Sequence, residues 1–218
     1  MSNLKFGIIQ GRLTQSPPGC LQWFPQQEWR SEFAKASELG ISFIELIAEI
    51  NHNPKNPIWS NDGIKEIKET ANDKKIVINS LCNDFIIENC ILNKDTIKQN
   101  INLLDQCKKL GIKKYIMPFF NESEINADNI EKFLKPLNII ADMANEYGIV
   151  ISLETILTGK ELLYLLDTLD NRNIHVVFDT GNRIAFGHNL SEDIELLSNK
   201  INHVHIKDCL LYTSDAAD

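Results

Sequence analysis

Short apolar segments alternate with longer amphipathic segments along most of the chain. Seven apolar segments have the length and composition of β-strands: residues 5–10, 41–49, 75–82, 112–120, 149–154, 174–179 and 201–208. Six segments between them repeat their apolar positions with the helical period of roughly 3.6 residues: residues 27–40, 61–73, 94–111, 126–148, 159–170 and 191–200. Strands that alternate with helices predict a parallel sheet and an α/β fold.

The boundaries of these segments carry helix-end signals. Gly40, Gly111 and Gly148 each stand directly before the next apolar segment. Glycine accepts the left-handed backbone conformation that commonly ends a helix. Asn61 or Asp62 is placed to cap the second helix. These signals predict short loops between each helix and the following strand.

Two α/β architectures compete for this pattern. A doubly wound open sheet usually has a GxGxxG phosphate loop after its first strand, and the segment QGRLTQSPPG (10–19) lacks it. A (β/α)8 TIM barrel needs eight repeats in about 250 residues. We therefore predict one domain over residues 1–208, an incomplete TIM barrel with about seven of the eight strands.

Composition and charge limit the function classes. The formal net charge is −8, whereas a nucleic-acid partner requires a basic surface. The five cysteines are scattered without metal-site spacing, which is typical of free thiols in a reducing compartment. The first residues lack a long apolar run and no stretch reaches membrane length, so we expect neither a signal peptide nor a membrane span. We expect a cytoplasmic protein without membrane contact. The sequence leaves open whether the chain forms a homo-oligomer.

Three side chains that bind metals fall near the ends of the last three predicted strands. The two-residue alternation of a strand places Glu154, Asp179 and His205 each on the face opposite the apolar one. In TIM barrels the carboxyl ends of the strands hold the active site. Two carboxylates and one imidazole favour Mn²⁺, Mg²⁺ or Co²⁺, with Zn²⁺ as a further candidate. Taken singly, each residue has a plainer explanation, such as turn formation by Asp179.

The same segments resemble a known family. ISLET, VVFDTGN and NHVHIKD are similar to the last strands of the xylose isomerase-like TIM barrels, the group of sugar-phosphate isomerases and epimerases. GIIQGRL, FIELIAE and INSLCNDF resemble its first three strands. The resemblance covers residues 4–208 and is more specific for the superfamily than for a substrate.

The resemblance implies a divalent-metal site and a reaction next to a carbonyl group. The implied ligands are Glu154, Asp179 and His205, where His205 is preferred to His203 because it is the second histidine of the HxH pattern. The family's fourth ligand, a glutamate on strand eight, has no counterpart in this chain. The implied reaction is isomerisation or epimerisation through an enediolate, with Glu154 as a base. A metal-assisted hydride shift is the family's other mechanism.

The resemblance also implies substrate-binding residues for a sugar or sugar phosphate. Arg12, Glu45 and Lys207 match family positions near the pocket mouth, and Arg12 and Lys207 suit a phosphate or carboxylate. Asn182 stands three residues after the strand-six aspartate, where sugar epimerases commonly have histidine. His188, in the loop after strand six, is expected at the rim.

The final segment, CLLYTSDAAD (209–218), has neither a helix pattern nor a strand pattern. We interpret it as a non-native tail, and we expect the chain as written to bind metal weakly with little turnover. Two alternative functions remain at this stage. One is a polyol dehydratase of the same superfamily, and the other is a non-catalytic or degenerate sugar-binding barrel.

Overall fold

The computed structural model describes residues 6–20, 22–169 and 171–207. The strands are β1 (Gly7–Ile9), β2 (Phe43–Ala48), β3 (Val77–Asn83), β4 (Lys114–Phe119), β5 (Val150–Thr155), β6 (Ile174–Asp179) and β7 (Ile201–His205). The helices are α1 (Trp29–Glu38), α2 (Asn61–Lys74), α3 (Phe85–Glu88), α4 (Lys94–Leu110), α5 (Ile130–Glu146), α6 (Gly159–Leu169), α7 (Thr180–Ala185) and α8 (Leu190–Leu197). The predicted non-native tail, residues 209–218, lies outside the described residues.

The strands form one parallel sheet in the order β1-β2-β3-β4-β5-β6-β7. Each strand pairs with the next one along the chain, as Pro118 does with Glu154 and Asp179 with His205. Within the described ranges no strand pairing joins β7 to β1. The sheet is therefore an incomplete TIM barrel of seven strands, which confirms the predicted fold class.

The sheet is strongly curled. Glu45 on β2 and His205 on β7 are five strand positions apart in the sheet, yet Glu45 Oε1 lies 3.0 Å from His205 Nε2. In a flat sheet five spacings would separate two such strands by about 24 Å. The curl brings the inner faces of β2 and β7 together across the barrel.

The two faces of the curled sheet differ in polarity. The outer face packs Leu81, Tyr115 and Leu153 against apolar residues of the helices, and this layer is the main hydrophobic core. The inner face buries polar side chains, including Glu45, Ser80 and Ser152, beside a small apolar cluster of Cys82, Ile116 and Val177. Apolar burial therefore holds the helices on the outside and leaves the inside for polar chemistry.

The six predicted helices are all present, with bounds close to those expected. The predicted cap of α2 was wrong by one residue, because the Ser60 hydroxyl accepts from the Gly63 amide at 3.0 Å and Asn61 already begins the helix. The sequence pattern missed α3 and α7. These helices have four and six residues, too few for a 3.6-residue period to appear.

No helix in the described part of the chain is both long and apolar enough to cross a membrane.

A buried ion pair joins the helices that follow β6 to the loop that follows β5. Arg183 on α7 contacts Asp193 Oδ2 on α8 through Nη2 at 2.6 Å and through Nε at 2.7 Å. Arg183 Nη2 also donates to the Leu157 carbonyl oxygen, and Asp193 Oδ1 accepts from the Gly159 amide. The pair therefore connects three segments around the carboxyl ends of β5 and β6.

Removal of one partner of this pair should destabilise the fold strongly. Asp193→Ala leaves the Arg183 guanidinium buried without its counter-charge, so we expect the free energy of unfolding to fall by about 3–5 kcal/mol. Asp167→Ala is the matched control, since its pair with Lys200 spans 3.9 Å and Asp167 is largely exposed. Asp167→Ala should lower the free energy of unfolding by less than about 1 kcal/mol. Equal decreases in the free energy of unfolding of the two variants, measured in urea, would contradict the prediction.

Candidate active site

The three predicted metal ligands meet at the carboxyl ends of β5, β6 and β7. His205 Nδ1 lies 3.6 Å from Glu154 Oε2 and 3.7 Å from Asp179 Oδ2. One ligand atom from each residue lies within 4.8 Å of the other two. Glu154 and Asp179 are buried and His205 is nearly so. The curl and the strand register place all three side chains on the inner face.

These distances fit ligands around a shared cation better than they fit direct hydrogen bonds. Hydrogen bonds between imidazole nitrogen and carboxylate oxygen are about 2.7–2.9 Å long when charged. Two ligands that each lie about 2.1 Å from one ion are about 3–4 Å apart. The 3.6 and 3.7 Å gaps fall in the second range. The oxygen-rich donor set suits Mn²⁺, Mg²⁺ or Co²⁺.

Asn182 orients both carboxylates of this cluster. Its backbone amide donates to Asp179 Oδ1 at 2.7 Å, and its side-chain amide donates to Glu154 Oε1 at 2.5 Å. Each carboxylate thus has one oxygen held by Asn182 and the other turned toward His205. Asp179 is also the N-cap of α7, so the turn-forming explanation and the ligand explanation hold for the same residue. A substrate contact for Asn182 remains a prediction.

Glu45 lies behind His205 and is 2% exposed. Glu45 Oε1 accepts from His205 Nε2 at 3.0 Å, and Oε2 lies 3.1 Å from His203 Nε2. Burial opposes ionisation of Glu45, but the two imidazoles outweigh it and hold its pKa well below the usual range. A substrate contact for Glu45 remains a prediction, and the geometry favours a positioning role. A proton on Nε2 leaves Nδ1 of His205 as the nitrogen that faces Glu154 and Asp179.

Charge in the cluster is balanced by His205 and Lys207. Burial lowers the pKa of His205, but Asp179, Glu154 and Glu45 together raise it well above its usual value. Burial alone would raise the pKa of Asp179, but His205, the Asn182 amide and Lys207 lower it to about 2. The metal-free cluster therefore carries an imidazolium, and metal binding must release its Nδ1 proton.

Lys207 reaches the cluster from the segment after β7. Its Nζ lies 2.9 Å from Asp179 Oδ2, and its side chain is 47% exposed. A Cβ on Gly181 would lie 2.6 Å from Lys207 Cγ, so the absence of a side chain at Gly181 gives Lys207 its path over α7. Lys207 can therefore contact the cluster while its outer part stays open to solvent.

The other two predicted contacts lie at the rim. Arg12 is exposed in the turn after β1, and this turn is held by the buried Glu32 carboxylate, which accepts from the Gly11 and Leu13 amides. His188 Nε2 contacts the Ile156 carbonyl oxygen at 2.9 Å and so links the loops after β5 and β6. The structure brings neither residue to the metal ligands, and their substrate contacts remain predictions.

A cavity of about 580 Å³ opens at the same end of the sheet as the cluster, between the segments that follow β1, β2 and β3. Its lining includes Trp23, Phe24, Glu49, His52 and Asp84. The indole nitrogen of Trp23 donates to the Gly11 carbonyl oxygen at 3.0 Å. Gly11 has φ of +90°, and a Cβ there would lie 2.3 Å from the Trp23 carbonyl oxygen. Only glycine therefore allows this turn to pack against Trp23.

Asp84 is a candidate functional residue that the sequence analysis did not single out. It directly follows β3 and continues the inner-facing alternation of Ser80 and Cys82. Its position inside the INSLCNDF segment was the available signal. Burial raises the pKa of Asp84, and Glu154 and Glu45 raise it further against the opposing effect of the Cys82 thiol, to about 7.

This shift predicts a pH-dependent contribution to stability. The folded state holds the Asp84 proton up to about pH 7, whereas an aspartate in the unfolded chain loses its proton at about pH 3.9. The contribution is therefore complete below about pH 4 and is lost as pH rises through about 7, at no more than about 1.4 kcal/mol per unit. Urea unfolding in EDTA at pH 5–8 should show that Asp84→Asn removes this decline. Parallel pH profiles of the two proteins would contradict it.

Residues 33–216 match the sequence family described as xylose isomerase-like TIM barrel. Among curated proteins, the probable L-ribulose-5-phosphate 3-epimerase UlaE of Mycoplasma pneumoniae is 26% identical over 204 residues. That alignment covers 84% of this chain and 64% of the relative, so the chain spans slightly less than two thirds of the relative's length.

Solved structures share the fold at low sequence identity. D-psicose 3-epimerase from Clostridium cellulolyticum H10, solved with D-tagatose, has a TM-score of 0.75 and 17% identity, and the match covers 94% of this chain and 74% of that chain. A xylose isomerase-like TIM barrel protein from Mycobacterium smegmatis, solved in complex with magnesium, has a TM-score of 0.73 and 16% identity over 94% of this chain and 75% of that one.

The family match and the solved structures agree with the observed fold. The family match extends over most of the chain, and the sequence relative is a sugar epimerase by its name. This chain belongs to the xylose isomerase-like TIM barrel family.

Proposed function

We propose that this chain carries the metal-binding and proton-transfer site of a divalent-metal-dependent isomerase or epimerase. Its substrate would be a sugar or sugar phosphate, and the reaction would occur next to the carbonyl group. The observation that carries the proposal is the spacing of His205 Nδ1 from Glu154 Oε2 and Asp179 Oδ2, 3.6 and 3.7 Å. The named activities of the Mycoplasma and Clostridium proteins support the substrate class.

Glu154, Asp179 and His205 would hold the cation, which we expect to be Mn²⁺, Mg²⁺ or Co²⁺, with Zn²⁺ as a further candidate. The magnesium complex of the Mycobacterium protein supports this choice. When bound, the cation supplies positive charge that stabilises negative charge developing on neighbouring sugar oxygens. Three protein ligands leave coordination positions open to substrate.

The chain's own residues divide the remaining work. Glu154 accepts the proton from the carbon next to the carbonyl, and Asn182 keeps the carboxylate oriented for that transfer. Glu45 holds the proton on His205 Nε2 and so directs Nδ1 inward. For a sugar phosphate, the exposed outer part of Lys207, together with Arg12, would bind the anionic group.

Metal affinity distinguishes a ligand from a residue that positions one. Asp179→Asn removes a ligand charge, and we expect Mn²⁺ affinity to fall by more than about 100-fold, beyond the range typical of outer partners. Glu45→Gln should cost roughly 10–100-fold, because it weakens only the support of His205. Asp128→Asn, an exposed carboxylate before α5, is the control.

Isothermal titration of the purified chain with MnCl₂ measures these affinities. Equal losses in Glu45→Gln and Asp179→Asn would identify Glu45 as a ligand in its own right. Unchanged affinity in Asp179→Asn would contradict the proposed metal site.

Hydrogen exchange tests the proposed chemistry directly and requires only one functional base. In D₂O with Mn²⁺, neutral ketoses and ketose phosphates should gain deuterium next to the carbonyl, as read by proton NMR. Glu154→Gln should slow this exchange by about 100-fold or more, since it removes the base. Glu146→Gln, an exposed glutamate at the end of α5, should exchange like the unsubstituted protein.

Isomerised product without solvent deuterium would instead indicate a hydride shift and would contradict the base role of Glu154. Exchange that persists in Glu154→Gln would also contradict it.

A further inference from the structure

Asp84 lines the cavity at the same end of the sheet as the metal ligands. It lines that cavity together with Trp23, Phe24 and residues after β2, although it is only 2% exposed. Asp84 Oδ1 accepts from the Cys82 thiol at 3.2 Å. A thiol is a weak donor, so this contact satisfies little of the hydrogen-bonding capacity of a buried carboxyl.

The other acidic residue of the cavity wall is engaged differently. Glu49 Oε1 accepts from the Asn53 side chain at 2.8 Å, and Oε2 accepts from Asn56 at 2.7 Å. Both oxygens of Glu49 thus accept from side-chain amides, whereas within the described residues the Asp84 side chain accepts from the weaker Cys82 thiol. A buried polar group with unused capacity is most stable when a ligand supplies the partner.

Asp84 lies at the same carboxyl end of the sheet as the metal ligands, since it directly follows β3 while Glu154, Asp179 and His205 lie at the ends of β5, β6 and β7. Burial and the carboxylates of Glu154 and Glu45 raise the pKa of Asp84 to about 7. Because the two neighbouring carboxylates and burial favour the protonated group, Asp84 can donate a hydrogen bond near neutral pH. A protonated carboxyl both donates and accepts, which matches the hydroxyl groups of a sugar.

We propose that the Asp84 carboxyl binds a hydroxyl group of an uncharged polyhydroxylated substrate, such as a ketose, at the end of the molecule remote from the metal ligands. The proposal rests on the proposed function, since the cluster of Glu154, Asp179 and His205 would hold the reacting end. It assigns Trp23 and Phe24 to the apolar face of the sugar ring or chain. Pockets that combine aromatic walls with a few placed polar groups are typical of small-molecule sites.

Sugar titrations followed by tryptophan fluorescence test the proposal, because Trp23 lines the cavity. D-tagatose and L-ribulose are the probes, and each is titrated with and without about 1 mM MnCl₂. Asp84→Asn keeps one donor and one acceptor, so we expect its affinity to stay within about fivefold of the unsubstituted protein. Asp84→Leu, of similar size without polar atoms, should bind at least about tenfold more weakly.

Two further variants keep the test decisive. Asp84→Ala carries the same expectation as Asp84→Leu if the leucine variant does not fold. Cys82→Ala removes the thiol that donates to Asp84 but keeps the carboxyl, so its sugar affinity should change by less than about twofold. A loss as large as that of Asp84→Leu would show that the pair is structural and would overturn the proposal.

Other outcomes also overturn it. One is an unchanged sugar affinity in both Asp84→Leu and Asp84→Ala. The other is the absence of binding of either ketose to the manganese-loaded unsubstituted protein. A separate MnCl₂ titration keeps the two proposals distinguishable. Loss of sugar binding in Asp84→Leu with normal Mn²⁺ affinity supports the role of Asp84, whereas absent Mn²⁺ binding in the unsubstituted protein contradicts the metal site alone.

Discussion

The contact between Glu45 on β2 and His205 on β7 depends on the curl of the sheet, and the site depends on that contact. Five strand positions separate the two residues, and only a sheet rolled toward a barrel brings them to 3.0 Å. The right-handed twist of parallel strands and the helices packed on the outer face drive that rolling. The hydrophobic outer core thereby determines which inner-face side chains meet.

The carboxyl groups of Glu45, Glu154, Asp179 and Asp84 lie toward the carboxyl end of the barrel, and each is stabilised by different partners. Glu45 is bound by two imidazoles, and Asp179 is bound by Lys207 and the first turn of α7. Glu154 accepts from the Asn182 amide, while Asp84 keeps its proton. Because charges interact strongly in a buried site, a divalent cation at Glu154, Asp179 and His205 would relieve much of the remaining repulsion.

The short helices and turns at this end of the barrel are as important as the strands. Asn182 lies in α7 and orients two carboxylates at once, and the Arg183–Asp193 pair anchors that helix to α8. On the opposite side, Glu32 and Gly11 hold the turn that packs against Trp23. Rigid strands and anchored loops together fix the metal cluster and the cavity relative to each other, as a shared substrate would require.

The alternation of apolar and amphipathic segments was enough to predict seven parallel strands and six helices, and the missing GxGxxG loop favoured the barrel over an open sheet. The two-residue alternation along β5, β6 and β7 was also enough to place Glu154, Asp179 and His205 on one face, because strand geometry is local. The sequence could not show that Glu45 supports His205, that Asn182 holds Glu154, or that Asp84 lines the cavity. Those relations join residues 28 to 160 positions apart, or depend on burial. Only the curl of the sheet and the packing of the loops bring such residues together. Local sequence patterns predict neither the curl nor the loop packing.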